Sequence, residues 1–426
     1  MQPVHTADEI RAAEAPLLAS LPAGELMGRA ASGLAERLAS ALRERRGGFS
    51  GGQVLLAVGA GNNGGDALWA AVTLLGRGVR ASAWRTSGRA HPEGWRAFLD
   101  AGGREVDAVA ALELLADADL VVDGVLGIGG RPGLDPAVAA FADACRDTRA
   151  VVVAVDLPSG LDADAATASE SFTADITVTF GARKLCHIAE PARSRCGNVE
   201  VVDIGLGLAA PSVTAWEASD VAAVWPVPGP ESDKYSRGVL GVDTGSQQYP
   251  GAAVLSCFGA VHSGAGMVRY LGAAPDAVGS ALPNVVTASG RVQAHLVGSG
   301  WGERPDGLRR LVEVLGEGLP TVVDADAIAL LAGRHVGPGV LLTPHAGELA
   351  RLLGVPRAEV QADPVGHARA AAAASGAVVL MKGASQYLAE PDGHVAVAVP
   401  GPAWTAQAGA GEVLAGICGT LLAAGL

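Results

Sequence analysis

Apolar positions along the chain switch between a period of three to four residues and short unbroken runs. Ile10, Ala13 and Leu17, then Leu26, Ala30, Leu34, Leu38 and Leu42, predict two amphipathic helices within residues 7–46, parted by Pro22 and Gly24. Val54, Leu55, Leu56, Ala57 and Val58 form a continuous apolar run, the pattern of a parallel strand buried on both faces. Gly59, Ala60 and Gly61 follow, then Asn62, Asn63, Gly64, Gly65 and Asp66, and then a helical stretch over 67–76. A weaker strand is expected at 79–84, a helix at 93–101 and a buried strand at 120–123 that ends in Asp123. The loop 124–133 and a helix over 136–146 lead to a strand at 151–155 that runs into Asp156 and Ser159. A further strand, 176–180, precedes Lys184. Strands and helices in this alternation predict a doubly wound α/β layer with a mostly parallel sheet.

Residues 206–238 lose this periodicity and are punctuated by Pro226, Pro228 and Pro230, so the chain is divided into domains of residues 1–210 and 211–426. A second α/β layer is expected after the join. Its strands fall at 239–242, up to 268, near 296, at 321–326, at 340–343 and at 378–381, and its helices at 252–261, 304–316 and 412–422.

Composition narrows the class. With 49% apolar and 18% charged residues the 426-residue chain is globular, and its net charge of −13 argues against nucleic-acid or anionic-membrane partners. Five cysteines without metal-ligand spacing suit free thiols in a reducing compartment. The N-terminus shows neither a basic flank nor an apolar stretch, and no run reaches the ~18 apolar residues of a membrane span. A soluble, cytoplasmic homo-oligomer is expected.

Candidate chemistry gathers at strand ends. Asn63 with Asp66, Asp123, and Asp156 with Ser159 all follow the carboxyl ends of predicted parallel strands, and such ends share one edge where ligands bind. Each alone reads as a turn residue or helix cap; three in glycine-containing loops on one edge read as a site. Glycines admit a ligand close to the backbone, and a helix start offers free N–H groups to phosphate.

The stretches GAGNNGGDAL, VVDGVLGIG, AVDLPSGLDAD and ADITVTFGARK, in that order, resemble the NAD(P)HX epimerase family over residues 1 to about 210. The resemblance implies a Rossmann-like domain that interconverts the R and S epimers of hydrated NADH or NADPH. It implies that Asn62, Asn63, Gly64, Gly65 and Asp66, with Gly127, Ile128, Gly129, Gly130, Arg131, Pro132 and Gly133, touch the substrate. Asn63, Asp123 and Ser159 would hold a potassium ion, and Asp156 would act beside the hydrated ring, with Asp123 as a second catalytic residue. Lys184 either adds charge or is a surface residue. Gly28 stands where the family usually has an acidic residue.

In the second half GSGWG, VVDADAIALL, LLTPHAGELARLLG, MKGAS and AGAGEVLAG resemble the ADP-dependent NAD(P)HX dehydratases, a ribokinase-like fold. That likeness implies substrate contacts from Ala253, Gly300, Gly302 and His345. Nucleotide contacts would come from Lys382, Gly383, Ala384, Ser385, Gln386 and Gly411, with ADP or ATP and Mg2+ as cofactors. Glu412 occupies the position of the general base, where the family has aspartate. The family normally continues beyond the helix at 412–422, so a shortened C-terminus is expected. The alternatives are a working epimerase joined to a non-catalytic nucleotide-binding domain, or a ribokinase-like small-molecule kinase.

Overall fold

The computed structural model describes residues 1–398 and 401–426. Two compact units are formed, one of Pro3–Pro211 and one of Ser212–Leu426 together with Met1–Gln2.

In the first unit the strands β1 (Gln53–Val58), β2 (Arg80–Arg85), β3 (Arg104–Val106), β4 (Leu120–Gly124), β5 (Val151–Val155), β6 (Ile176–Phe180) and β7 (Asn198–Val202) form one sheet. Their order is β3-β2-β1-β4-β5-β6-β7, and the pairings are parallel. The sheet grows in opposite directions from β1 and from β4, which leaves a crevice at their carboxyl ends. Register fixes what meets there: Asp123 pairs with Ala57 on one side and with Ala154 on the other, so the segments after β1, β4 and β5 emerge together.

Alternate residues of each strand serve opposite layers. Val54, Leu56 and Val58 pack with Leu34, Leu38 and Leu42 of α2 (Glu25–Arg46), Leu68 and Leu74 of α3 (Asn62–Gly76) and Phe98 of α4 (Pro92–Asp100). Leu55 and Ala57 face the other way, with Ala111 of α5 (Ala108–Leu114) and Val138, Phe141 and Cys145 of α6 (Pro136–Arg146). Helix α1 (Ala7–Ser20) starts at a Thr6–Glu9 capping box, and its Arg11 Nη2 donates to Ile128 O at 2.6 Å, tying it to the loop after β4.

One expectation moves. Helix α3 begins at Asn62 with Gly61 as its N-cap, so Asn62, Asn63, Gly64, Gly65 and Asp66 form its first turns and not a loop ahead of it. The short strand β3, helix α5 and strand β7 were not anticipated, because much of their surface is exposed and their apolar pattern is weak.

The second unit contains β8 (Val213–Trp216), β9 (Val239–Asp243), β10 (Met267–Tyr270), β11 (Ala294–Val297), β12 (Thr321–Val323), β13 (Val340–Leu342), β14 (Val378–Met381), β15 (Gln386–Ala389) and β16 (Val395–Ala398). These strands lie in the order β8-β16-β15-β14-β13-β12-β11-β9-β10. The pairings β14–β15 and β15–β16 are antiparallel and the others parallel. Its helices are α7 (Ala218–Val224), α8 (Pro250–His262), α9 (Pro275–Ala281), α10 (Gly307–Gly316), α11 (Ala346–Leu353), α12 (Arg357–Ala362), α13 (Pro364–Ser375) and α14 (Ala410–Ala423). The strand expected over 321–326 stops at Val323, and Ala325–Leu331 turns into a 3-10 helix. Among the described residues no helix is long and apolar enough to cross a membrane.

Candidate active sites

At the crevice of the first unit the chain turns sharply after β1. A Cβ on Gly59 would lie 2.0 Å from the Val125 carbonyl oxygen, and one on Gly64 would lie 2.2 Å from that of Gly59. Glycine at both positions is therefore what lets the start of α3 and the loop after β4 come together.

Asp123, fully buried at the end of β4, accepts from Ser159 N at 2.7 Å and Ser159 Oγ at 2.5 Å, and from Val125 N at 3.3 Å. Ser159 Oγ in turn accepts from Leu126 N at 2.8 Å. The Leu126 carbonyl accepts from Asn63 Nδ2 at 3.1 Å and lies 3.1 Å from Ser159 Oγ. Asn63, Asp123 and Ser159 thus meet around one loop: Asp123, Ser159 and the Leu126 carbonyl contribute oxygens, while Asn63 turns its amide nitrogen to Leu126 and its Oδ1 toward Gly127. Burial pushes the Asp123 carboxyl up to about 7 against the lowering effect of its hydrogen bonds to Ser159 and Val125.

Asp156 holds a left-handed backbone, φ +67°, unusual for a residue with a side chain. The turn aims its carboxylate back under the loop after β4. Asp156 Oδ2 accepts from Ile128 N at 3.1 Å, and Oδ1 accepts from Lys184 Nζ at 2.6 Å and Thr179 Oγ1 at 3.0 Å. Burial pushes this carboxyl up. The Lys184 charge and hydrogen bond, with His187 and Thr179, outweigh that and hold it below the usual carboxylate range.

Lys184 is therefore no surface residue: it is buried at 1% exposure and also donates to Thr179 Oγ1 at 2.7 Å. Its rarity in an arginine-rich chain was the available signal. A long apolar stem and a compact ammonium let lysine reach into a closed site where it meets a single carboxylate.

A cavity of about 610 Å³ opens here, lined by Asn62, Asn63, Asp66, Gly127, Ile128, Gly129, Gly130, Asp156, Lys184 and, from α1, Glu14. Glu14 was not singled out in the sequence, where it reads as one more polar position on a surface helix. Arg131, Pro132 and Gly133 do not line the cavity: Arg131 and Pro132 are exposed, Arg131 pairs with Asp135, and Gly133 N donates to Gly160 O. A neighbouring cavity of about 1100 Å³ shares Glu14, Asn62 and Asp66, and Gly28 borders it with nothing within 4 Å of where a Cβ would lie.

The second unit repeats the logic. Asp324, after β12 and 1% exposed, accepts from Ser299 Oγ at 2.6 Å, Thr343 Oγ1 at 2.8 Å and Lys382 Nζ at 2.7 Å. A Cβ on Gly411 would lie 3.4 Å from Lys382 Nζ, so this ammonium sits between a carboxylate and the first turn of α14, where half-buried Glu412 follows Gly411. Successive N–H groups at that turn and the lysine make an environment for anions. Asp324, Ser299 and Thr343 were not named from the sequence. The signal that found Asp123, a carboxylate ending an apolar run, was present in TVVDAD as well.

His345 lies next to Lys382 through a backbone bridge and caps α11, its Nδ1 accepting from Gly347 N at 2.9 Å and Glu348 N at 3.1 Å. Ala253 is fully buried and faces Gly245, and it is Ala252 that approaches Gly300. Gly302 N donates to Asp326 Oδ2 at 2.8 Å. Gln386 Nε2 bonds the Gly383 carbonyl at 2.8 Å, and Ser385 is buried, which folds residues 382–386 into a tight hairpin between β14 and β15.

Comparison with known proteins agrees with this division. Residues 23–186 match the family described as YjeF-related protein N-terminus, and residues 240–426 match the family described as NAD(P)H-hydrate dehydratase. Over 440 residues the chain is 47% identical to the bifunctional NAD(P)H-hydrate repair enzyme Nnr of Mycobacterium tuberculosis, covering 100% of this chain and 90% of that protein. The chain belongs to this family. The same enzyme of Mycobacterium leprae is 45% identical over 441 residues, again covering 100% of this chain and 90% of the relative. An ADP/ATP-dependent NAD(P)H-hydrate dehydratase of Bacillus subtilis, crystallised with ATP and Mg2+, is 28% identical and covers 50% of this chain and 86% of its own, with a TM-score of 0.45.

Proposed function

We propose that this member of the repair family carries both activities. Residues 1–210 interconvert the R and S epimers of hydrated NADH and NADPH, and residues 211–426 dehydrate the S epimer at the expense of ADP or ATP. The observation that carries the reading is the meeting of Asn63, Asp123 and Ser159 beside Asp156 at the switch of the first sheet. Inversion at the hemiaminal carbon needs protons given and taken at a hydroxyl, and positioned carboxyl groups supply such transfers. Asp156, held ionised by Lys184, is suited to accept a proton.

The oxygens of Asp123, Ser159 and Leu126, joined by Asn63 Oδ1 if its amide is flipped, suit a potassium ion, and among the described residues no ion pair reaches the buried Asp123 carboxyl, so such a charge is favourable there. The ion would supply positive charge near the substrate's phosphates.

In the second unit Glu412 takes the proton of the ring hydroxyl as that oxygen accepts the terminal phosphoryl group and the shortened nucleotide departs; phosphate then leaves C6 with loss of a proton from C5, which restores the ring double bond. Lys382 and the first turn of α14 hold the transferring group. Mg2+, expected with a nucleoside diphosphate or triphosphate, would neutralise its charge. Purified protein given mixed NADHX epimers and ADP tests both activities: absorbance at 340 nm should recover for both epimers. Recovery of one epimer only removes the first activity, and no recovery removes the second.

A further inference from the structure

Asp66 is 92% buried by its 8% exposure, yet no hydrogen bond or ion pair reaches its carboxyl among the described residues. It sits on the second turn of α3 and lines both the 610 Å³ cavity, with Asp156 and Lys184, and the larger one beside it. A buried carboxyl normally finds a partner. One that faces a cavity without any is either a defect or a group whose partner is the ligand. Around it stand Arg11 and Glu14 of α1, His91 and Glu93 at the start of α4, Asp135, and Asp156 with Lys184; α2 contributes Glu25, Arg29 and, against Gly65, Met27.

We propose that Asp66 is the proton donor of the epimerase, giving its proton to the hydroxyl that leaves C6 of the hydrated nicotinamide ring. This rests on the epimerase reading above. The C6–O bond breaks with its electron pair on oxygen, which takes the Asp66 proton and departs as water, while the N1 lone pair closes a C6=N1 bond. A water then adds to the other face of C6, the π electrons return to N1, and the proton released goes to the Asp156 carboxylate. Nothing is oxidised or reduced. The opposite epimer enters with the roles of the two carboxyl groups exchanged; between turnovers in the same direction the proton returns from Asp156 to Asp66 by exchange with water in the cavity that both residues line.

The two carboxyl groups are held in opposite states by their surroundings. Burial, then the charges of Asp156 and Glu14, keep Asp66 well above the usual carboxylate range, whereas Lys184 keeps Asp156 below it. Glu14, raised by burial and by Asp156, adds to the negative field that holds the proton on Asp66.

The test uses the full chain with purified R-NADHX, following inversion by chromatography. Asp66→Asn should lower kcat by roughly 10²–10⁴-fold while KM moves little. Native enzyme should lose activity as pH rises through the Asp66 titration, a limb the residual Asp66→Asn rate lacks. In H2(18O) each inversion should place one labelled oxygen on C6, a measurement on the native protein that stands even if the variant does not fold. A kcat near native in Asp66→Asn, a raised KM with kcat retained, or inversion without label uptake overturns the proposal and leaves the epimerase reading intact. Native protein that fails to speed inversion overturns that reading, and the proposal with it.

Discussion

Replacing Lys184 by methionine isolates the interaction on which the first site depends. The ammonium is fully buried and bonds Asp156 Oδ1 at 2.6 Å and Thr179 Oγ1 at 2.7 Å. Methionine fills most of the same volume, so the change removes the charge and its hydrogen bonds more than the packing. Removing one partner of a buried pair leaves the other uncompensated and costs about 3–5 kcal/mol. At roughly 2–4 °C per kcal/mol for a domain of this size, calorimetry of the full chain should show one transition lowered by roughly 6–20 °C at pH 7.

The pH dependence follows from the direction of the Asp156 shift. Its carboxyl lies below the usual range in the folded protein, so the stability it contributes is present above the unfolded value of about 4 and fades as pH falls through the folded one. In Lys184→Met burial outweighs the remaining hydrogen bonds from Thr179 and Ile128 N, Asp156 prefers its proton, and stability is lost as pH rises above about 4. The gap between native and variant should therefore be small near pH 3–4 and widen toward neutrality. Asp156→Asn added to Lys184→Met should restore much of the stability, since a neutral amide needs no counter-charge and asparagine tolerates the left-handed backbone, but not the activity. A variant as stable as native at pH 7, or a gap that ignores pH, would refute the reasoning.

Three further outcomes are expected. Gly59→Ala sets a methyl group 2.0 Å from the Val125 carbonyl oxygen and should cost about 1–3 kcal/mol in urea unfolding together with epimerase activity; native values for both would show that the two loops can part freely. Asp123→Ala strips the buried Ser159 N of its acceptor, at about 1–3 kcal/mol, and leaves Ser159 Oγ only the Leu126 carbonyl. It should also abolish R/S equilibration and any response to added KCl, and unchanged exchange by chromatography would remove this carboxylate from the site. Glu412→Asp should raise ADP-dependent recovery of absorbance at 340 nm, because a displacement of about 1 Å at a reacting group is worth roughly 10²-fold; no gain, with Glu412→Ala equally active, would mean that Glu412 handles no proton.

Local chemistry was legible wherever one stretch of chain carries the whole cause. The run 54–58 is a strand because it is continuously apolar, and Gly59 had to be small because a strand turns there into a helix. Helix α3 starts earlier than its apolar pattern, at Asn62, since the capping geometry of Gly61 and the close approach of Gly64 to Gly59 decide the first turn, and neither leaves a periodic trace. Short segments such as β3 and α5 were missed for the same reason: their conformation is imposed by neighbours more than by their own side chains.

What the sequence determined by itself is the alternation of elements, and the placing of Asn63, Asp123, Asp156 and Ser159 after strands, because burial on both faces of a parallel sheet writes an unbroken apolar run and a loop must follow it. What only the tertiary structure decided is which charges neutralise one another. Lys184 could equally have faced water. Its burial against Asp156, the solitary carboxyl of Asp66 and the bond from Lys382 to Asp324 depend on segments 28, 90 and 58 residues apart meeting across a sheet edge. Electrostatic energies are set by separation in space and by the exclusion of water, and neither is written along the chain.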